Sequence, residues 1–217
     1  MKISKLELAV LIIALFTGFH FYNKHQMEDL STTEEHLTPL IFDEDNPPVI
    51  VAFGDSLTYG TGGGRDGSYP AQLSRLLGLQ VINEGVPGET AERAFGRFQT
   101  VLKKYKPDIV ILCEGGNDML RARKEEKIKR DLGRMIDAAI HSGAKVILLG
   151  VPEPEQFFLS DADFYRELAD ETGVLYLPNL FSDVLSDDSL TKDPAHPNKK
   201  GYAIIAQKIY EAIRGGL

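Results

Sequence analysis

The 217-residue sequence predicts an α/β protein, a three-layer α/β/α sandwich with a five-stranded parallel sheet between two layers of helices. Three observations carry this. Short apolar runs recur from residue 48 onward, each continuous rather than alternating, as strands buried on both faces require. Between them lie amphipathic stretches long enough for the crossover that each parallel pair needs. The composition, 43% hydrophobic and 26% charged, is that of one ordinary globular domain.

Two segments of different character precede that domain. Residues 8–22, LAVLIIALFTGFHFY, form an apolar run behind Lys2 and Lys5, the pattern of a membrane-targeting segment. The run falls short of the ~20 apolar residues of a full span, so it must recruit Leu6 and its flanks. Gly18, Phe19, His20 and Phe21 stand where small residues of a cleavage site would be, so residues 1–27 are expected to be an uncleaved signal anchor. Only Lys24 follows the run before a string of acids. The positive-inside bias then leaves the N-terminus in the cytoplasm and the domain on the periplasmic side, with secretion after cleavage as the alternative. Residues 28–47 carry seven acids and no Lys or Arg, and read as a solvated acidic linker. The remaining domain, 48–217, is nearly balanced in charge, so most of the net −8 belongs to the linker.

Within the domain the strands are expected at PVIVAF (48–53), QVIN (80–83), DIVILCE (108–114), KVILLG (145–150) and GVLYLP (173–178). Helices are expected over 70–78, 89–105, 123–142, 161–172 and 199–214. The composition excludes several classes. A lone Cys113 rules out an internal disulfide, a thiolate zinc site and an iron–sulfur centre, and its place in an apolar run marks it as core. With 32 acids against 24 bases, the chain lacks the basic surface of a nucleic-acid binder.

In an open parallel sheet, chemistry collects at the carboxyl ends of the strands. After the first strand comes Gly54-Asp55-Ser56-Leu57, which puts a serine hydroxyl at the mouth of the sheet, although Asp55 and Ser56 can also make a simple polar turn. After the second, Pro87-Gly88 suits the centre of a type II turn, where Gly88 supplies positive φ and an unshielded amide. A tight turn alone would also explain Gly88, and Gly85 is the competing donor candidate, ranked lower because no turn type demands a glycine there. The third strand ends in Gly115-Gly116-Asn117-Asp118, where Asn117 can aim an amide at Ser56 from a strand about 5 Å away. Asp118 is expected to cap or brace that turn.

A serine nucleophile needs a base that is partly neutral near pH 7, which points to histidine. Within the domain the choice is between His141 and His196. His141 sits at a helix end, where an imidazole commonly serves the C-terminus, so elimination favours His196. Asp193, three residues upstream, is placed to hold the ring, with Asp187 and Asp188 as alternative carboxylates.

These four blocks, Gly54-Asp55-Ser56-Leu57, Gly88 within Asn83-x-Gly-x-x-Gly-Glu-Thr, Gly115-Gly116-Asn117-Asp118 and Asp193-x-x-His196, resemble in order those of the SGNH, or GDSL, hydrolases. The resemblance covers nearly all of residues 48–217 and is greatest to the bacterial thioesterase, lysophospholipase and arylesterase group. It implies a flavodoxin-like fold, Ser56 as nucleophile with His196 and Asp193, and an oxyanion hole of the Ser56 and Gly88 amides with the Asn117 side chain. It implies a small-molecule or lipid acyl ester or thioester as substrate, and the chemistry calls for no cofactor and no metal. The anchor and acidic linker depart from that group's usual cleaved signal peptide.

The proline-rich stretch 151–159 resembles by position the loop that shapes the acyl pocket, so Phe157, Phe158 and Leu159 are candidates to line an acyl channel or to pack the next helix. A glycan O-deacetylase is the competing enzymatic reading. Gly62-Gly63-Gly64-Arg65-Asp66-Gly67 formally fits G-x-G-x-x-G, with Glu84 as a ribose-binding acid, but it begins nine residues after Phe53 rather than at the strand end. A dinucleotide-binding module is thus remote, as is a catalytically dead binding protein.

Overall fold

A computed structural model describes residues 46–153 and 159–215. The expected anchor, most of the acidic linker, Phe157 and Phe158 lie outside the described residues. Among the described residues no helix is long and apolar enough to cross a membrane.

The five expected strands are β1 (Ile50–Gly54), β2 (Val81–Gly85), β3 (Ile109–Cys113), β4 (Lys145–Leu149) and β5 (Leu175–Leu177). They pair in the order β2-β1-β3-β4-β5, parallel throughout. This is the flavodoxin-like order, which changes direction between β1 and β3 and opens a crevice at their carboxyl ends. Every residue of β1 and β3 is buried, which explains why these runs are continuous rather than alternating.

The helices are α1 (Ser56–Tyr59), α2 (Tyr69–Leu77), α3 (Ala91–Tyr105), α4 (Gly116–Leu120), α5 (Glu125–His141), α6 (Phe164–Thr172), α7 (Leu180–Leu185) and α8 (Lys199–Ile213). One layer packs α2 on α8 and α8 on α7; the other packs α3 on α5 and α5 on α6. The ends follow from local chemistry. Ser68 caps α2, with Pro70 in its first turn, and the Asn198 side chain caps α8 by accepting from Lys200 and Gly201 N–H groups at 2.9 and 3.2 Å.

Three features depart from the sequence expectation. α1, α4 and α7 are one or two turns long, too short to show a helical period. A two-stranded antiparallel ribbon, β6 (Thr191–Asp193) with β7 (His196–Pro197), stands where a plain loop was expected. The helix expected from 161 begins at Phe164, because Asp161 has other partners. Its buried carboxylate accepts from Ser182 Oγ (2.6 Å), Asn179 N–H (2.6 Å) and Tyr176 OH (3.0 Å), tying the start of α7 to the end of β5.

Candidate active site

Asp55 decides where α1 begins. Its carboxylate accepts from Leu57 N–H at 2.9 Å, so Ser56 is the first helical residue and its own N–H donates to no acceptor among the described residues. Gly54 pairs with Gly85 on one side and Cys113 on the other, so Ser56 lies between the segments that follow β2 and β3.

The β6–β7 ribbon supplies the other two polar groups. Asp193 stands opposite His196, and its carboxylate accepts from Nδ1 at 2.8 Å through Oδ1, with Oδ2 at 3.0 Å. The opposite ring nitrogen, Nε2, lies 3.0 Å from Ser56 Oγ. Burial would raise the Asp193 carboxyl, but hydrogen bonds from Ala195 N–H and from His196, with the imidazole charge, hold it below its ordinary value. Asn198 pins the loop by donating to the Ser189 and Thr191 carbonyls at 2.9 and 3.2 Å. Gly62, at φ +91°, lies beneath it, where a Cβ would come within 2.5 Å of the Pro197 carbonyl oxygen.

The competing residues have other partners. His141 Nδ1 bonds to the Asp137 carbonyl at 2.7 Å, on its own helix end, and Asp187 caps Ser189 N–H at 2.8 Å. Cys113 is fully buried, and burial together with the nearby Asp55 charge pushes its thiol up, so it stays protonated.

After β2 the chain makes the expected type II turn, with Glu89 N–H on the Val86 carbonyl at 3.2 Å and Gly88 at φ +78°. The Gly88 N–H has no acceptor among the described residues, whereas that of Gly85 donates to Asn83 Oδ1 at 3.0 Å. Arg121 Nη2 donates to the Gly88 carbonyl at 3.0 Å, holding the peptide from its far side. After β3, Asn117 Nδ2 donates one proton to Asp55 Oδ2 at 2.9 Å, which leaves its second proton for another acceptor. Burial pushes the Asp55 carboxyl up to about 6, against the opposing pull of the Leu57 N–H, the His196 charge and Asn117.

Buried acids around the site have partners that the sequence does not show. Asp118 does more than brace its own turn: it accepts from Ala91 N–H at 2.8 Å, capping α3 from another element, and pairs with Arg123. Arg123 also meets Asp131 (3.1 Å) and Glu92 (3.2 Å). Asp55 carried an N-cap signal, but its bond to Asn117, 62 positions away, carried none. Glu114 is fully buried, neither carboxylate oxygen has a hydrogen-bond partner among the described residues, and burial followed by the Asp55 charge pushes it well above its ordinary range.

The glycine-rich 62–67 stretch packs against the histidine loop and α8, where Cβ atoms at Gly63 and Gly67 would meet Tyr202 and Lys199. Glu84 is engaged by Arg97 (3.4 Å) and Tyr105 OH (2.9 Å). Both parts of the dinucleotide fingerprint therefore have structural partners. Phe157 and Phe158 of the expected acyl loop lie outside the described residues; its stem closes by a bridge between Pro152 and Asp161.

Residues 52–204 match the model of the GDSL-like lipase/acylhydrolase family. An arylesterase of Vibrio mimicus is 27% identical over 174 residues, covering 76% of this chain and 87% of the relative. The thioesterase 1/protease 1/lysophospholipase L1 of Escherichia coli K12 is 26% identical over 164 residues, covering 72% and 79%. Among solved structures, the psychrotrophic esterase EstA from Pseudoalteromonas superposes with a TM-score of 0.68 at 22% identity, covering 76% of this chain and 96% of that one.

Proposed function

The chain belongs to the GDSL-like lipase/acylhydrolase family and is a carboxylic ester hydrolase, and on that premise we propose that it cleaves acyl esters or thioesters through an acyl-enzyme on Ser56. The observation that carries this reading is one continuous chain of hydrogen bonds, Asp193 to His196 Nδ1 and His196 Nε2 to Ser56 Oγ, joining residues 140 positions apart. A neutral imidazole with Nδ1–H on the carboxylate offers the Nε2 lone pair to the hydroxyl.

Ser56 Oγ attacks the carbonyl carbon as His196 Nε2 takes its proton, and Asp193 stabilises the imidazolium. The oxyanion accepts from the Ser56 and Gly88 N–H groups and from the second Asn117 amide proton. The first two donate to nothing among the described residues, and Asn117 has one proton to spare. Collapse expels the alkoxide or thiolate with the proton from His196. Water, deprotonated by the same imidazole, then releases the acid and restores the hydroxyl.

Acyl thioesters, lysophospholipids and aryl esters are the proposed substrate class, supported by the activities in the names of the relatives. The apolar run at 8–22 and the acidic stretch after it support a domain tethered on the outer side of the cytoplasmic membrane, near lipid substrates. The test is a panel of p-nitrophenyl esters, acyl thioesters, lysophospholipids and acetylated sugars, run with wild type and Ser56→Ala. The reading expects turnover of medium-chain substrates that disappears in the variant while its melting temperature stays near wild type. Turnover confined to acetylated sugars would select the deacetylase reading, and activity surviving in Ser56→Ala would remove the nucleophile.

A further inference from the structure

We propose that Asp55 is a positioning residue of the reaction, a single carboxylate that holds Asn117 in register with Ser56 so that both address the same oxyanion. The inference deepens the reading above and rests on Asn117 being an oxyanion donor. Its basis is geometric. One carboxylate oxygen of Asp55 accepts from Leu57 N–H at 2.9 Å, within the turn that presents Ser56; the other accepts from Asn117 Nδ2, also at 2.9 Å. The residue is 2% exposed, so no solvent competes for either bond. The two donors belong to chain segments that the pairing of β1 with β3 brings side by side.

A free asparagine side chain rotates about two bonds and can turn its amide over. Fixing one amide proton on Asp55 selects the orientation in which nitrogen, not oxygen, faces the site, and fixes where the second proton points. An oxyanion hole lowers the barrier only when its donors are already oriented before charge develops. Both Asp55 oxygens are engaged by Leu57 N–H and Asn117 Nδ2, so its effect on the reaction passes through Asn117. Losing it should therefore lower kcat and leave KM nearly unchanged.

The test uses the full chain and two variants. Ser and Asn both serve well at a helix N-cap, so Asp55→Ser and Asp55→Asn keep Leu57 N–H satisfied. Asp55→Ser is too short to reach Asn117, while Asp55→Asn sets an amide donor against an amide donor. With a p-nitrophenyl ester, each is expected to lose roughly 10- to 100-fold in kcat, less than the 10²–10³-fold typical of losing an oxyanion donor outright, with KM within about twofold. The deciding measurement is the cycle with Asn117→Ala. Adding Asp55→Ser to that variant should cost no further kcat, because the group through which Asp55 acts is already gone.

Two losses that multiply, a changed KM at constant kcat, or wild-type kcat in both folded Asp55 variants would overturn the proposal. Should either Asp55 variant fail to give a native near-UV spectrum, the other carries the cycle. Wild-type kcat in Asn117→Ala alone would overturn the underlying oxyanion assignment, and this proposal with it.

Discussion

At the scale of single residues, the site combines a shielded contact with an open one. The His196 side chain is 21% exposed and that of Asp193 is 45%, so water screens the charge of Asp193 on its outer side. Asp193 still fixes the ring tautomer, because both of its oxygens lie within 3.0 Å of Nδ1. In the proposed mechanism His196→Ala removes the base itself, whereas Asp193→Ala leaves an imidazole that a water can partly orient. We expect His196→Ala to lower kcat by about 10²–10⁴-fold, the usual range for general-base catalysis, and Asp193→Ala to lower it less. Steady-state kinetics of the two variants decide it, and equal losses would mean that the carboxylate does more than orient.

Among elements, the site depends on how helix ends are satisfied. α3 has a threonine at its N-cap, yet Thr90 makes no side-chain cap bond; Asp118 of α4 supplies the acceptor instead. That carboxylate is buried and pairs with Arg123, so it joins the end of β3, the start of α3 and the start of α5 around the segment that carries Asn117. Removing one partner of a buried pair leaves the other uncompensated. Asp118→Ala should cost about 3 kcal/mol, the low end of the range for broken buried pairs, because Arg123 keeps Asp131 and Glu92. Urea unfolding measures this, and a loss under about 1 kcal/mol would place the pair among surface ion pairs.

For the molecule as a whole, two buried acids make stability fall as pH rises, against the opposite pull of the lowered Asp193 carboxyl. Asp55 titrates at about 6 in the fold instead of 3.8, and Glu114 well above 4.5, burial being the first cause for both. A carboxyl whose folded value is raised binds more protons when folded than when unfolded, so stability falls as pH rises above its unfolded value. The Asp55 contribution is complete near 6, while that of Glu114 continues to grow beyond it. Glu114→Met replaces an acid that has no hydrogen-bond partner among the described residues with an apolar chain of similar length. Its stability gain should be larger at pH 8 than at pH 5, as read from urea midpoints at the two pH values; equal gains would show that Glu114 is not the source of the pH dependence.

From the sequence come the five strands, their parallel pairing, the type II turn at Gly88 and the expectation that His196, not His141, faces Ser56. Each rests on short-range chemistry or on counting: buried runs, a Pro-Gly pair, and a helix end that already occupies one histidine. Likeness to a family implied a nucleophile at Ser56, an oxyanion donor at Asn117 and an orienting carboxylate at Asp193 before any distance was known. Tertiary structure alone decided the partners of Asp55, Asp118, Asp161 and Glu114. A carboxylate in a sequence looks the same whether it faces water, caps a distant helix or lies unpaired in the core, because its state depends on groups brought near by strand pairing. The same holds for Gly62, which resembled part of a phosphate loop and in the fold makes room for the histidine loop.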